Sequence, residues 1–459
     1  MNNNKYDKVT RQEGLDLFKA LSTGNYAQAG VPTERTGGSV LIPESLETTT
    51  RNITFTEDNL KLWKQIPKLN ANSTVEQYNV VRDYGVGSTA FARESSAGRD
   101  TSSVLSRELA KVKFLTTTRS VTQVLNTVAQ IENAEAFEIN NGIKYILGQA
   151  EQNLFYGDST LAPKGEEGLE WDGLLKQTDK ANHIDLKGKA LDDKILNRAG
   201  EIILNNYGTP SKAYMPIGAA ALFSENFYPD QRALMNVAPG TITAGTVVTQ
   251  FNSIGGTVDV EPDVFMRRGT TPLDLNKPAI GDAPTPPEVT AADDTKVATF
   301  EEGTYKYAVV AVNELGETAP IKVKADVAKA GETAKKAVKL TIKNNASQTV
   351  APEFFIIYRT RENSDVYYEI ARIGVETQEA GGETVFVDDN SRIPGTGHVI
   401  IGDFRTDETV AFKQLTDVFK IDYAMVSPVK RFGIFLYGTP IVYAPKKFVV
   451  LHNVDVKRG

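Results

Sequence analysis

A regular spacing of apolar side chains predicts the longest helix of the chain, at about residues 132–156. Side chains at steps of three and four share one face of an α-helix, and such a stripe is buried against another layer of the fold. Gly157 follows the stripe and supplies a helix stop. The apolar positions of this stripe are Ala136, Ile139, Ile143, Ile146, Leu147, Ala150 and Leu154.

Shorter periodic stretches predict further elements of a mixed host domain. A second helix is expected at about residues 191–206, a short buried strand at 213–217 and another helical turn at 218–223. The region 240–266 reads as strands, with 251–256 as their turn. Apolar runs at 431–438, 441–445 and 448–452 predict a terminal set of strands. This order predicts an α+β host in which one long helix packs on antiparallel sheet.

Polar and apolar residues also predict a long β-hairpin within residues 74–122. Its limbs are expected at 74–81 and 108–119. The stretch 85–103 between them is polar, rich in Gly and Ser, and far longer than a tight turn. Long loops in compact domains are usually functional or disordered.

The pattern of the N-terminal region predicts a segment that becomes ordered only when neighbouring surfaces bury it. Residues 9–21 form a short amphipathic helix candidate, and residues 22–50 read as an extended arm rich in Gly, Thr, Ser and Pro. Ordering such an arm costs backbone entropy unless neighbouring surfaces bury it. This favours a protein that assembles.

A different pattern fills residues 283–397 and predicts an inserted all-β module. It opens in Ala283-Pro284-Thr285-Pro286-Pro287, and short strands separated by turn residues follow. An insertion of this kind leaves and re-enters its host at the surface. Its core is expected from residues that alternate along the strands, namely Tyr307, Val309, Ala311, Phe355, Ile357, Tyr368, Ile370 and Phe386.

Composition narrows the classes of function. The 459 residues have 41% hydrophobic and 24% charged residues, which is ordinary for a globular protein, and no apolar run has transmembrane length. The absence of Cys excludes disulfides and thiolate sites. The net charge is −7, and residues 283–397 hold 13 Lys plus Arg against 18 Asp plus Glu. No basic stripe stands out, so we expect no tight binding of nucleic acid.

The motifs that suggest chemistry are weak. Residues 85–90 match a permissive dinucleotide fingerprint, but no helical apolar face follows, so a glycine-rich hairpin tip is the better interpretation. The histidines at 183, 398 and 452 have no metal-ligand or triad spacing and are interpreted as surface or packing residues. Acidic residues at 158, 192–193 and 388–389 are explained by helix and strand ends. We expect no enzyme, no cofactor and no metal site.

A cluster of tyrosines in the module leaves two interpretations. They could form a carbohydrate platform, or they could be cross-strand pairs of the sandwich, which is the commoner explanation. The residues concerned are Tyr305, Tyr307, Tyr358, Tyr367 and Tyr368.

The order of arm, long hairpin, long helix, mixed domain and terminal strands resembles the major capsid protein of tailed bacteriophages, with the Hong Kong 97-type fold. The resemblance is most specific at Gln152-Asn153-Leu154-Phe155-Tyr156-Gly157-Asp158 and at Lys430-Arg431-Phe432-Gly433-Ile434-Phe435-Leu436-Tyr437-Gly438 with Pro445. It is closest to the Twort-like contractile-tailed phages of Gram-positive hosts. The fold implied is α+β, with an inserted immunoglobulin-like or fibronectin-like sandwich.

This resemblance implies a division of the whole chain. Residues 1–73 would be the N-terminal helix and arm, 74–122 the extended hairpin or E-loop, and 123–190 the spine helix with the first part of a peripheral domain. Residues 191–282 would be the axial domain, 283–397 the inserted sandwich, and 398–459 the remainder of the axial and peripheral domains.

The resemblance also implies partners. The chain would assemble with itself into hexamers and pentamers, and would meet portal, scaffold and decoration proteins, with weak nonspecific contact to packaged DNA and no membrane. The short N-terminal region favours a separate scaffolding protein. Residues 85–103 contain no lysine, so no covalent crosslink is expected at the hairpin tip. We expect the charged tip residues Arg93, Glu94, Arg99 and Asp100 to contact a neighbouring subunit.

Two other functions remain open from the sequence. One is a surface adhesin or glycan-binding protein built on the sandwich, which would need an export signal or anchor. The other is an encapsulin-type compartment shell, which has the same host fold.

Overall fold

The computed structural model describes residues 54–85, 91, 93–94, 101–128, 133–227, 247–327, 336–425 and 427–456. The chain divides into two units, Met1–Thr54 with Val128–Asn133 and Phe55–Thr127 with Ala134–Gly459. The packing below lies within the second unit. The predicted helix 9–21 and arm 22–50 lie outside the described residues.

The described elements mix six α-helices with twenty-one strands. The helices are α1 Lys61–Gln65, α2 Gln123–Val128, α3 Ala134–Tyr156, α4 Leu174–Gln177, α5 Asp193–Asn205 and α6 Ile217–Phe227. The strands are β1 Lys68–Asn70, β2 Val75–Asp83, β3 Val104–Lys111, β4 Lys113–Thr122, β5 His183–Asp185, β6 Lys212–Pro216, β7 Gln250–Ser253, β8 Gly256–Asp263, β9 Ile280–Gly281, β10 Glu288–Val297, β11 Gly303–Val312, β12 Gly316–Glu317, β13 Ile321–Val327, β14 Lys336–Lys343, β15 Phe354–Thr360, β16 Tyr367–Gly374, β17 Glu383–Asp388, β18 Thr396–Gly402, β19 Val410–Asp422, β20 Val429–Val442 and β21 Phe448–Asp455.

The predicted long helix is confirmed as α3, and it packs on a four-stranded sheet. The strand order of this sheet is β1-β19-β20-β4, in which β1 and β19 are parallel. Ile146, Ala150 and Leu154 of α3 are fully buried, as their spacing predicts. They share a core with buried side chains of β19 and β20, including Phe412 and Phe432.

The C-terminal end of α3 is held by a close approach of two backbones. The Gly173 N–H donates to the Gly157 carbonyl at 2.9 Å, and the Trp171 indole N–H donates to the Asn153 carbonyl at 3.0 Å. A Cβ at Gly157 would lie 2.3 Å from the Trp171 carbonyl oxygen, and a Cβ at Gly173 would lie 2.8 Å from backbone atoms of the helix. Only glycine fits at both positions.

The second sheet of the host has the order β5-β21-β18-β6-β8-β7 and forms a separate core with α5 and α6. Asp192 is the N-cap of α5, and its carboxylate accepts from the Asp193 N–H at 2.8 Å, which agrees with the predicted role of this acidic pair. The predicted turn at 251–256 is shorter than expected. Phe251 and Gly256 lie in paired strands, and only Ile254 and Gly255 form the turn.

The segment predicted as a module forms two sheets around a third core. One sheet is β10-β14-β17, and the other is β16-β15-β11-β12-β9 with β13 paired to β11. Five of the predicted core residues are fully buried in this core, and Ile370 and Phe386 pack against it. Tyr368 is buried outside this core and bridges to Pro272, so its predicted position is wrong. Strand β9 joins the sheet from just before residue 283.

A buried ion pair connects the two sheets of this sandwich. Arg359 on β15 donates to the Asp388 carboxylate on β17 at 2.5 Å, and the Tyr307 hydroxyl donates to the same oxygen at 3.0 Å. The two charged side chains are only 1% and 4% exposed. The Arg359 guanidinium also lies over the Phe300 ring, 4.9 Å from its centroid. A charge buried this deeply is tolerated only because its partners are in place.

A second buried polar group connects three parts of the host core. Glu151 of α3 is fully buried, and its two carboxylate oxygens accept from the Leu62 and Trp63 N–H groups at the start of α1, each at 2.7 Å. Its carboxyl group also faces that of Asp263, at the end of β8, and the Asp263 Oδ2 is buried without a donor in the described chain. Burial, together with the facing Asp263 carboxylate, raises the pKa of Glu151 well above its usual range. Burial likewise raises the pKa of Asp263, so the pair shares a proton.

The shared proton predicts a dependence of stability on pH. The pKa values of both carboxyl groups are raised in the folded state. The contribution of the pair to the free energy of unfolding is therefore complete at pH values below the ordinary carboxyl pKa, and it is lost as the pH rises through the raised pKa values. In Asp263→Asn the amide can donate to an ionised Glu151. We expect the variant to gain about 1–3 kcal/mol in the free energy of unfolding at pH 8 relative to wild type.

Urea denaturation from pH 5 to 9, followed by the fluorescence of Trp63 and Trp171, measures this difference, because both tryptophans lie in the same core. Asp259→Asn is the matched control, since Asp259 lies on the same strand and accepts from the Gln250 amide at the edge of the sheet. An equal pH dependence in wild type and Asp263→Asn would contradict the shared proton.

The buried ion pair predicts a local loss of stability in the sandwich. Asp388→Asn leaves Arg359 buried without its counter-charge, which we expect to cost about 3–5 kcal/mol. Hydrogen exchange of peptides that cover β11, β15 and β17 measures the loss. Asp389→Asn is the control, because the neighbouring Asp389 pairs with Lys296 at the surface. Equal protection in the two variants would show that the pair does not hold the sheets together.

Candidate functional site: an exposed hairpin

The predicted hairpin is present, but its return limb differs from the prediction. Strands β2 and β3 pair antiparallel, with Val75 opposite Lys111 and Val81 opposite Leu105. The limb expected at 108–119 is two strands, because β3 ends at Lys111 and β4 pairs with β20 in the host sheet. Val112, 4% exposed, marks the break, and its N–H donates to the Thr74 carbonyl at 2.9 Å. The hairpin is therefore a two-stranded ribbon that leaves the host at Val112.

One face of the ribbon lies toward the host and packs loosely. The Tyr78 ring meets the Tyr443 ring edge to face, with centroids 5.1 Å apart, and burial raises the pKa of both hydroxyls. A cleft of about 550 Å³ lies beside this contact, between the ribbon and residues such as Trp171 and Asp172. Two strands joined to the host this loosely have little stability of their own.

The opposite face of the ribbon exposes apolar side chains. Because side chains alternate along a strand, the outward positions of β2 and β3 form one surface, which we call the outer hairpin face. Its apolar members are Val75, Val81, Leu105 and Leu109, which are 40%, 50%, 63% and 62% exposed. Large apolar side chains grouped on an exposed surface are typical of sites of protein–protein contact.

Charged side chains hold the base of the ribbon. Glu167 accepts from Lys111 at 2.5 Å and from Lys113 at 2.6 Å, and Lys113 also donates to the Gly168 carbonyl at 2.6 Å. The hydrogen bonds from Lys111 and Lys113 hold the pKa of Glu167 below its usual range. The base is thus fixed by ion pairs, while the apolar side chains of the outer hairpin face are 40–63% exposed.

The predicted tip residues lie only partly within the described part of the chain. Arg93 and Glu94 are exposed and lie between β2 and β3, as expected, whereas Arg99 and Asp100 lie outside the described residues. Sequence reasoning missed Leu105, because it started the return limb at residue 108. The alternation through Leu105, Arg107 and Leu109 was the available signal.

The three histidines, unrelated by spacing, form a single row. The His452 ring bonds to His398 through Nδ1 at 3.0 Å and to His183 through Nε2 at 2.8 Å. Strand β21 runs between β18 and β5, and this pairing brings the rings together. Burial lowers the pKa of His452 to about 4, and burial, with Arg392 nearby, lowers that of His398 well below its usual value. At neutral pH the row is uncharged.

The described residues contain neither a metal cluster nor a membrane-spanning helix. Across them, no group of three or more His, Asp or Glu side chains is arranged to hold a metal ion. None of the helices described is long and apolar enough to span a membrane. The tyrosines considered for a carbohydrate platform are strand residues, and Tyr305, Tyr307, Tyr367 and Tyr368 are buried, which favours strand pairing.

Comparison with known proteins gives a consistent result. The family described as SU10 major capsid protein matches residues 32–311, more than half of the chain. The putative major capsid protein of Enterococcus phage phiEF24C is 30% identical over 454 residues, covering 96% of this chain and 94% of the relative. The major capsid protein of Staphylococcus phage K is 29% identical over 455 residues, covering 97% and 96%.

Among solved structures, the capsid of a native GTA particle aligns with a TM-score of 0.49 and 10% identity, covering 93% of this chain and 100% of the other. The assignment rests on the sequence matches, which extend over the hairpin, α3 and both host sheets. They confirm the predicted resemblance to capsid proteins of phages such as those of Staphylococcus and Enterococcus. The chain belongs to the SU10 major capsid protein family.

Proposed function

We propose that this major capsid protein assembles into the icosahedral head of a phage around double-stranded DNA, and that the hairpin of β2 and β3 makes a contact between subunits. The observation that carries this proposal is the outer hairpin face, which presents four apolar side chains on a ribbon with no core of its own. A surface of this kind gains stability only when a neighbour covers it.

Identical contacts repeated around a closed shell need only modest energies. Each subunit offers its hairpin to one neighbour and receives a hairpin from another, which is a heterologous contact that closes into rings. Hexamers and pentamers are the rings that we propose. Many weak contacts then act together, so the shell is durable although each hairpin contact is small.

We also propose that the host has the Hong Kong 97-type arrangement. In it α3 is the spine helix, the ribbon lies within the extended hairpin 74–122, and the sheet that contains β6 and β8 belongs to the axial domain 191–282. The helix of 23 residues that spans the core and the separate core around α5 and α6 support this division.

The sandwich is proposed to be an immunoglobulin-like or fibronectin-like insertion at 283–397. Its separate core and its buried pair of Arg359 and Asp388 support a module with its own stability. Its excess of acidic residues favours an outward position, where it would meet neighbouring sandwiches, decoration proteins or host glycans. Portal and scaffold proteins are the other proposed partners, with weak nonspecific contact to the packaged DNA and no membrane.

The double variant Leu105→Ser/Leu109→Ser tests the hairpin contact. Burial of each leucine in an interface contributes about 1.5–3 kcal/mol, so we expect the critical concentration for assembly to rise about tenfold or more. Sedimentation velocity and negative-stain microscopy, under conditions in which the wild type forms shells, measure this change. The free subunit should keep its unfolding midpoint, because both side chains are exposed in it.

Leu315→Ser is the matched control, since Leu315 is 64% exposed on a turn of the sandwich. It should assemble like the wild type. Normal shells from the double variant would show that the outer hairpin face makes no essential contact.

The charged tip gives an independent prediction. Arg93→Glu with Arg99→Glu places like charges where we expect complementary ones, and such pairs cost several kcal/mol. We expect assembly to fail while the circular dichroism of the subunit stays unchanged. Arg405→Glu, at an exposed position on the host, serves as the control. Shells of normal yield from the doubly reversed tip would refute the proposed contact.

A further inference from the structure

A cleft of about 160 Å³ separates the sandwich from the host, and its walls come from distant parts of the chain. Tyr156 at the end of α3, Arg268 and His398 form the host side. Glu369 and Arg372 of β16, with Arg392 of the segment that follows β17, form the other side. We call this the arginine cleft. It is distinct from the hairpin, which contributes none of its lining.

Two of the three guanidinium groups of the arginine cleft share one carboxylate, that of Glu369. Arg372 binds Glu369 through two hydrogen bonds of 2.8 and 3.2 Å, and the Arg268 Nε lies 3.0 Å from the same carboxylate. Among described residues, Arg392 has no carboxylate within ion-pair distance, and it donates to the Thr396 carbonyl and the Asn453 amide oxygen at 2.7 and 3.3 Å. Lys176, also in the lining, is paired with Asp158.

The arrangement therefore has more positive charge and more donors than its own acceptors use. Three guanidiniums carry roughly fifteen N–H donors, and five of these have acceptors in the described chain. The Arg268 and Arg372 side chains are only 15% and 19% exposed, and the Arg268 Nε is buried without a hydrogen-bond acceptor in the described chain. Positive charges that are partly removed from water without counter-charges are costly.

The electrostatic surroundings differ among the three arginines: against the effect of burial, Glu369 raises the pKa of Arg372. Burial lowers the pKa of Arg392 to about 10, and burial likewise lowers that of Arg268. Although burial acts in the opposite direction, Arg372 and Arg268 hold the pKa of Glu369 below its usual value. Glu170 and Asp185 attract these arginines from beyond ion-pair distance. An anion in the cleft would supply the missing negative charge.

We propose that the arginine cleft binds a small oxyanion of the phosphate type, which joins the sandwich to the host. The fork of a guanidinium matches two oxygens of a phosphate or carboxylate, and three such forks from separate segments surround one small recess. The anion bridges Arg268 of the host with Arg372 of β16 and Arg392. The sandwich is thereby fixed at one orientation on the host.

Titration of sodium phosphate into the full purified chain, at ionic strength held constant with sodium chloride, tests the proposal. Isothermal calorimetry should give a saturable isotherm with one site per chain, and the unfolding midpoint should rise with phosphate as mass action requires. Sulfate should act like phosphate, and acetate more weakly. No saturable heat, or binding of a short DNA duplex without binding of free phosphate, would overturn the proposal.

Two variants distinguish a ligand site from a structural cluster. Arg392→Gln should weaken phosphate binding about tenfold or more, since one charge-assisted contact is lost. Arg198→Gln, at an exposed position on α5, should leave it unchanged. Glu369→Gln removes the competing carboxylate, so phosphate should bind more tightly and restore the stability that this variant loses in chloride. An unaltered phosphate affinity in Arg392→Gln, or no recovery of stability by phosphate in Glu369→Gln, would contradict the site. Shell assembly of the same variants is measured separately, because it tests the proposed function and not the anion site.

Discussion

The core of the host depends on one carboxyl group. Glu151 lies five residues before the C-terminal end of α3, where it caps the short helix α1 and faces the Asp263 carboxyl group of β8. No apolar side chain could replace it, because two backbone N–H groups of α1 would lose their acceptors inside the protein. Three segments that are far apart in sequence are thus held together by one carboxyl group whose pKa is raised by burial.

Stability is distributed very unevenly over this subunit. The two host cores and the sandwich core each bury a full set of apolar side chains. The ribbon of β2 and β3 buries almost none and is fixed at its base by Glu167, Lys111 and Lys113. Regions that bury little apolar surface open more easily than buried cores, so the ribbon is the least stable of these parts.

Periodicity predicted the elements whose burial is decided locally. The helix expected at 132–156 begins at Ala134 and ends at Tyr156, and most of the alternating core of the sandwich was identified from its strands. The pairing of distant strands was beyond this reasoning. Nothing in the spacing of His183, His398 and His452 shows that β21 lies between β5 and β18, and the same limit hid the arginine cleft. At the hairpin, alternation continues through Val112, so the change of sheet left no mark in the pattern.

The contact between Gly157 and Gly173 has a mechanical consequence. With no side chain between the two backbones, the end of α3 cannot slide or tilt against the following segment without losing the hydrogen bond that joins them. The helix and this segment must therefore move as a single rigid lever. Any change in the angle at which this subunit meets its neighbours must therefore come from another part of the chain.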